Sequence, residues 1–85
     1  GALYQIGKAS ALSGQQLDRG EASLRKYLSY QPRQNEPSHA AANMRLAQIL
    51  EKRGKKSEAK SLYESALKAD ATLKEAKEGL ERVSK

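Results

Sequence analysis

The sequence contains no cysteine, tryptophan or phenylalanine, and only two prolines and one histidine among its 85 residues. The lack of cysteine excludes disulfide bonds, thiolate chemistry and zinc sites built on cysteine ligands. Four tyrosines are the only aromatic residues. Alanine and leucine must therefore supply most of the core, a composition that favours closely packed helices.

No apolar run approaches the length of a transmembrane helix, and no signal-peptide pattern is present. We therefore expect a soluble chain, and the sequence carries no signal that assigns it to a compartment. The chain opens with a helical pattern that has no cap in front of it, starting at Gly1-Ala2-Leu3-Tyr4. We expect such a start in a fragment of a longer protein.

Basic residues outnumber acidic ones by 16 to 10, which gives a net charge of +6. Charged residues of both signs are interspersed, which argues against disorder, and the length suits one small domain with a modest core. The positive balance favours an acidic partner. Because the excess is spread and no aromatic residues are interleaved with it, we do not expect a nucleic-acid partner.

The spacing of apolar residues predicts five helices and no strand. The predicted helices cover about residues 2–13, 17–30, 38–53, 56–69 and 72–85. Gly14 and Gly54 are placed as C-terminal caps, and Pro32 stops the second helix. We expect Pro37 in the first turn of the third helix, with Asn35 or Glu36 as its cap region.

A capping box is the predicted start of the fifth helix, with Thr72 as the cap and Glu75 three residues later. The only histidine, His39, has no cluster of possible metal ligands beside it. We therefore expect an exposed side chain there and no metal site.

The second half of the chain carries the pattern of a helical hairpin, with large residues at helical spacing, small residues for close approach and a glycine between the two runs. These positions are Leu46, Ala47, Leu50, Gly54, Ala59, Tyr63, Ala66 and Leu67. The pattern resembles the tetratricopeptide repeat, a helix-turn-helix unit of about 34 residues. Such a unit cannot bury its apolar face alone and stacks on neighbouring copies.

The resemblance implies an all-α fold, an α-α superhelix of two stacked hairpin repeats with a capping helix. Repeat one covers about 1–32, the connector 33–37, repeat two 38–71 and the capping helix 72–85. In repeat one, Tyr27 stands where the family has alanine, so we expect its bulk either to splay the hairpin or to alter the stacking angle. In the last helix Glu81 takes a small-residue position, which predicts a cap with a polar outer face.

The resemblance also implies a peptide-binding groove lined by the first helix of each repeat. The residues that match groove positions are Tyr4, Lys8, Ala11, Leu12, Ala41, Met44, Arg45, Gln48 and Lys52. We expect these side chains to project from the face opposite the core. The alternative is that they are ordinary solvated positions.

A second candidate is an anion site at the turn between the third and fourth helices. Lys55 and Lys56 lie beside a helix N-terminus, where a phosphate or carboxylate can bind. The alternative interpretation is a solvated turn.

No catalytic motif, phosphate loop or metal-ligand spacing appears, so we expect neither an enzyme nor a cofactor. The leading hypothesis is a protein-interaction module that binds a peptide or partner surface of acidic character. A structural spacer or assembly element is the first alternative, and a basic surface for anions or nucleic acid is the second. The exposed first helix also offers a surface for self-association.

Overall fold

Five α-helices build the protein, in a computed structural model that describes residues 2–85. They are α1 (Ala2–Ser13), α2 (Leu17–Leu28), α3 (His39–Lys52), α4 (Lys56–Ala69) and α5 (Lys74–Val83). The described part of the chain contains no strand, which confirms the predicted all-α class.

The helices pack as two antiparallel hairpins and a fifth helix. The α3–α4 pair is the most extensive contact, followed by the α1–α2 pair, and α5 packs mainly on α4. Contacts between α1 and α3 and between α3 and α5 place the odd-numbered helices side by side, whereas the described contact between α2 and α4 is the ion pair of Arg25 with Glu58 at 3.8 Å. This arrangement is compatible with the predicted stack of hairpins.

Small residues let α1 and α2 approach closely. A Cβ atom added to Gly20 would lie 2.3 Å from the Cβ of Ser10, and one added to Gly7 would lie 2.2 Å from the Cγ of Leu24. The Ser10 hydroxyl donates to the carbonyl oxygen of Gln15 at 2.7 Å, which ties the turn to α1. Glycine is therefore required at both positions by the helix spacing.

The main core lies between the second hairpin and its neighbours. Its largest fully buried side chains are Leu24, Leu46, Ile49, Leu50 and Tyr63. The turn of this hairpin runs through Gly54 at φ 80°, a left-handed conformation that favours glycine, as predicted for a cap that closes α3.

The connector between the hairpins differs from the prediction. The N-terminal cap of α3 is Ser38, whose Oγ accepts from the backbone N–H of Ala41 at 3.1 Å. Pro37 therefore precedes the cap, and the prediction that placed it in the first helical turn behind Asn35 or Glu36 is wrong. Serine is a strong N-terminal cap because its hydroxyl oxygen accepts from a free backbone N–H group of the first turn. The helix therefore begins after Ser38 and not at Pro37.

Tyr27 anchors the connector to α2. Its hydroxyl donates to the carbonyl oxygen of Pro37 at 2.5 Å, and its ring centroid lies 5.9 Å from that of Tyr4 and 6.4 Å from that of His39. The expected exposure of His39 is wrong, because its half-buried ring packs here and its Nε2 lies 2.6 Å from the carbonyl oxygen of Tyr30.

The start of α5 has no capping box, so that prediction is also wrong. The N-terminal cap position is Leu73, which makes no side-chain cap bond, and the Thr72 hydroxyl donates to the Asp70 carboxylate at 2.5 Å. Glu75 is turned toward α3 instead, where it binds Arg45.

Close contact between α5 and α4 occurs at Gly79, two residues before the position that the repeat pattern assigned to Glu81. A Cβ atom on Gly79 would lie 2.2 Å from the Cζ of Tyr63, so only a hydrogen fits against that ring. Glu81 itself is exposed. The polar outer face expected for α5 is therefore present, although its contact register is shifted.

Replacing Ala59 with leucine should destabilise the protein by about 1–3 kcal/mol through overpacking. Ala59 lies in α4 and is fully buried in the core. A urea melt measures the loss, with Ala69→Leu at the exposed end of α4 as the matched control. Equal stability of the two variants would show that α4 does not need a small residue at 59.

Candidate functional site

Of the nine residues assigned to the groove, Ala11 is buried, contrary to its expected projection, and Ala41 is half-buried. The other seven divide into a buried and an accessible set. Tyr4, Met44, Arg45 and Gln48 are each less than 10% exposed, so their expected projection into solvent is wrong. They are covered because α1 and α5 pack against two sides of α3. The accessible members are Lys8, which is half-buried, and Leu12 and Lys52, which are exposed.

The buried set forms a hydrogen-bonded network around Arg45. Its Nε donates to the Tyr4 hydroxyl at 3.3 Å, and its Nη1 donates to Gln48 Oε1 at 3.1 Å. The same Nη1 lies 3.1 Å from Glu75 Oε2, and Nη2 lies 3.5 Å from Glu75 Oε1. Residues from α1, α3 and α5 thus meet at a single guanidinium.

Arg45 keeps its charge although it is buried. Burial by itself lowers the pKa of Arg45, but the hydrogen bond with Tyr4 and the nearby Glu75 carboxylate outweigh it and raise that pKa above its usual value. A buried guanidinium needs such partners, since an uncompensated charge in the interior is strongly destabilising.

Beside this network lies a surface depression of about 280 Å³, here called the Leu12 depression. Its lining residues are Ala11, Leu12, Gln48, Glu51, Lys52 and Arg82. The Leu12 side chain is 59% exposed, one of the two large apolar side chains that the described residues leave open to solvent. An apolar contact is therefore available next to a lysine.

One wall of the Leu12 depression is fixed by Glu51. Its carboxylate accepts from Arg82 Nε at 2.8 Å and from the Tyr63 hydroxyl at 2.8 Å. The hydrogen bond from Arg82 is the main cause that lowers the pKa of Glu51, and the bond from Tyr63 adds to it. Arg82 and Glu51 are thus held to each other.

Sequence reasoning missed three of these residues, namely Glu51, Glu75 and Arg82. One signal was present, because Glu75 and Arg82 are seven residues apart and so lie on the same face of α5. Both side chains bind α3, Glu75 through Arg45 and Arg82 through Glu51.

Lysines supply the uncompensated charge. Every ion pair that the structure describes between side chains uses an arginine, and those arginines are Arg25, Arg45, Arg53 and Arg82. Lys8 and Lys52 form no ion pair within residues 2–85. The surface that α1, α3 and α5 form around Lys8, Leu12, Gln48 and Lys52, here called the groove face, therefore carries free positive charge.

The predicted anion site at the turn is less well developed. Lys55 and Lys56 are exposed, and α4 begins at Lys56 without a side-chain cap. The neighbouring Arg53 is bound to the carboxylates of Asp18 and Glu21. The turn thus offers two solvated lysines and no buried polar group.

A larger depression of about 550 Å³ lies where the start of α1 and the end of α2 meet the connector. Its lining residues are Ala2, Leu3, Tyr27, Tyr30, Gln31, Pro32, Arg33 and Glu36. None of these residues was assigned to the groove.

No group of three or more histidine or acidic residues within 2–85 could hold a metal ion. Over the same range no helix is both long and apolar enough to span a bilayer. Comparisons with protein-family models, with curated proteins and with solved structures find no match.

Proposed function

We propose that this chain is a protein-interaction module of the tetratricopeptide kind, which binds an acidic segment of a partner protein along the groove face. The observation that carries the proposal is the Leu12 depression, where an exposed leucine lies beside Lys52, a lysine that forms no ion pair within residues 2–85. An acidic segment with an apolar side chain complements both features.

Charge favours this class of partner. The groove face offers Lys8 and Lys52 without carboxylate partners in the described chain, and positive charge of this kind speeds encounter with an acidic ligand. It also contributes charge-assisted hydrogen bonds once the ligand is bound. A groove this short supports modest affinity, with a dissociation constant on the order of micromolar.

The site contains none of the pairs that catalysis needs. Its carboxylates are engaged with arginines, and the Tyr63 hydroxyl that donates to Glu51 is buried. We therefore propose a binding role without enzymatic activity or a cofactor. A spacer role is the alternative, supported by the extensive packing of α3, and it requires no ligand on the groove face.

The proposal predicts that a short peptide in which carboxylates flank one leucine shifts amide signals of Lys8, Leu12 and Lys52 in ¹H–¹⁵N spectra. Lys52→Gln should weaken that binding about two- to fivefold, since one exposed ion pair contributes up to about 1 kcal/mol. Binding should also weaken with salt, because exposed charges are screened beyond about 8 Å at physiological ionic strength.

Lys60→Gln is the matched control, because this exposed lysine on α4 changes the net charge equally. The glutamine version of the peptide controls for its apolar part. Shifts confined to Lys55, Lys56 and the second helix of each hairpin, α2 and α4, would indicate binding at the basic turn instead. No shifts with any acidic peptide would favour the spacer role.

A further inference from the structure

The structure already shows one carboxylate bound on α3, and it belongs to Glu75 of the same chain. Three donors converge on it: Arg45 Nη1 at 3.1 Å, Arg45 Nη2 at 3.5 Å and Gln48 Nε2 at 3.4 Å. Two atoms of one guanidinium bind two oxygens of one carboxylate, which is the geometry of strong and specific recognition.

These donors are positioned without help from Glu75. Tyr4 holds Arg45 Nε from α1, and the Gln48 amide oxygen holds Arg45 Nη1 within α3. Removal of Glu75 would therefore leave a preformed site in which a buried guanidinium lacks its counter-charge. Such a charge is costly, so the site requires a carboxylate from some source.

Glu75 itself is held less firmly than the donors that it binds. Its side chain is 49% exposed, whereas that of Arg45 is 8% exposed. It lies in the first turn of α5, and the buried contacts of this helix are made farther along by Ala76, Gly79 and Val83. The carboxylate can thus turn into solvent while α5 stays in place, and a helix N-terminus tolerates it there.

The Glu75 site is continuous with the Leu12 depression. Gln48 lines the depression with its side chain and also donates to Glu75. A ligand with its apolar group at Leu12 therefore reaches the Glu75 site across a single side chain. One carboxylate of that ligand then meets Arg45.

We infer that Arg45 and Gln48 form a carboxylate site which Glu75 fills in the free protein, and that an acidic partner segment binds by displacing Glu75. This inference rests on the proposed function. In this arrangement Glu75 is an internal competitor, so a partner must supply a carboxylate at Arg45 as well as charge near Lys52. Displacement of Glu75 costs free energy for every ligand that displaces it, and a ligand that supplies a carboxylate to Arg45 recovers most of that cost.

The first test compares Glu75→Gln with Glu78→Gln in binding the acidic peptide. Both variants remove one negative charge from α5, but Glu78 is exposed and has no ion pair within residues 2–85. Loss of the competitor should tighten binding by about three- to tenfold in Glu75→Gln beyond any change in Glu78→Gln. Equal changes in both variants would overturn the inference and leave the proposed function standing.

The second test needs no peptide and uses acetate as the probe. In Glu75→Ala the Arg45 Nε–H signal should move on addition of acetate, and acetate should raise the melting temperature of this variant more than that of Glu78→Ala. No acetate effect on Glu75→Ala would overturn the carboxylate site. An acetate effect with no peptide bound by any variant would contradict the proposed function and, with it, displacement by a partner.

Discussion

A chain that ends at Ala71 should lose most of its stability, because α5 covers the second hairpin. Val83 and Ala76 are buried against it, and Gly79 lies directly on the ring of Tyr63. Exposing two or three apolar side chains costs on the order of 5 kcal/mol. A small domain is stable by only about 5–15 kcal/mol in total. We therefore expect the truncated chain to lose more helix than the removed α5 contained.

Circular dichroism per remaining residue and gel filtration measure this loss. The matched control is a chain that ends at Val83, which lacks only the exposed Ser84 and Lys85 and should melt like the full chain. If the chain ending at Ala71 keeps a cooperative melt and unchanged helicity per residue, α5 is dispensable for the fold.

The sequence predicted the helices best where apolar spacing and a stop residue agree. Both bounds of α1 and of α4 match the predicted ranges 2–13 and 56–69. In each hairpin a glycine with positive φ follows the first helix, Gly14 at 74° and Gly54 at 80°. Local chemistry fixes these ends, so a single sequence suffices to find them.

Burial around α3 could not be read from one helix alone. A helix with apolar residues on one side and polar residues on the other is expected to bury one face, yet in α3 every residue from 44 to 50 is buried. The cause is tertiary, because α3 contacts all four other helices. Arg45 and Gln48 look like solvated groove positions in the sequence and become buried only when α1 and α5 pack beside α3.

The error at the start of α5 has a similar origin. Glu75 fits a capping box by its distance from Thr72, but a carboxylate gains more from a guanidinium than from one backbone N–H. Alignment to the repeat pattern selected Glu81 as the close-contact position. Gly79, the only glycine of α5, marked the real contact.

Tyr63→Ala should be the most destabilising single substitution, with an expected loss of about 3–5 kcal/mol. Tyr63 is fully buried and is the largest side chain buried to that extent. Its loss would open a cavity between α4 and Gly79 that the surrounding helices can fill only in part. Thermal or urea unfolding measures the change.

Tyr30→Ala is the matched control, because the same atoms are removed from a side chain that is 52% exposed. We expect a change within about 0.5 kcal/mol there. Equal losses in the two variants would contradict the central position of Tyr63 in the core.

Tyr63→Phe separates the hydroxyl from the ring, since only the bond to Glu51 at 2.8 Å is lost. The expected loss is about 0.5–1.5 kcal/mol at neutral pH, where Glu51 is ionised. The bonds from Arg82 and Tyr63 lower the pKa of Glu51, so the stability that they provide is present above its unfolded pKa and is lost as pH falls through the folded one. The difference between Tyr63→Phe and the parent should therefore shrink in acid, and a difference that stays constant with pH would show that the hydroxyl does not act through the ionised carboxylate.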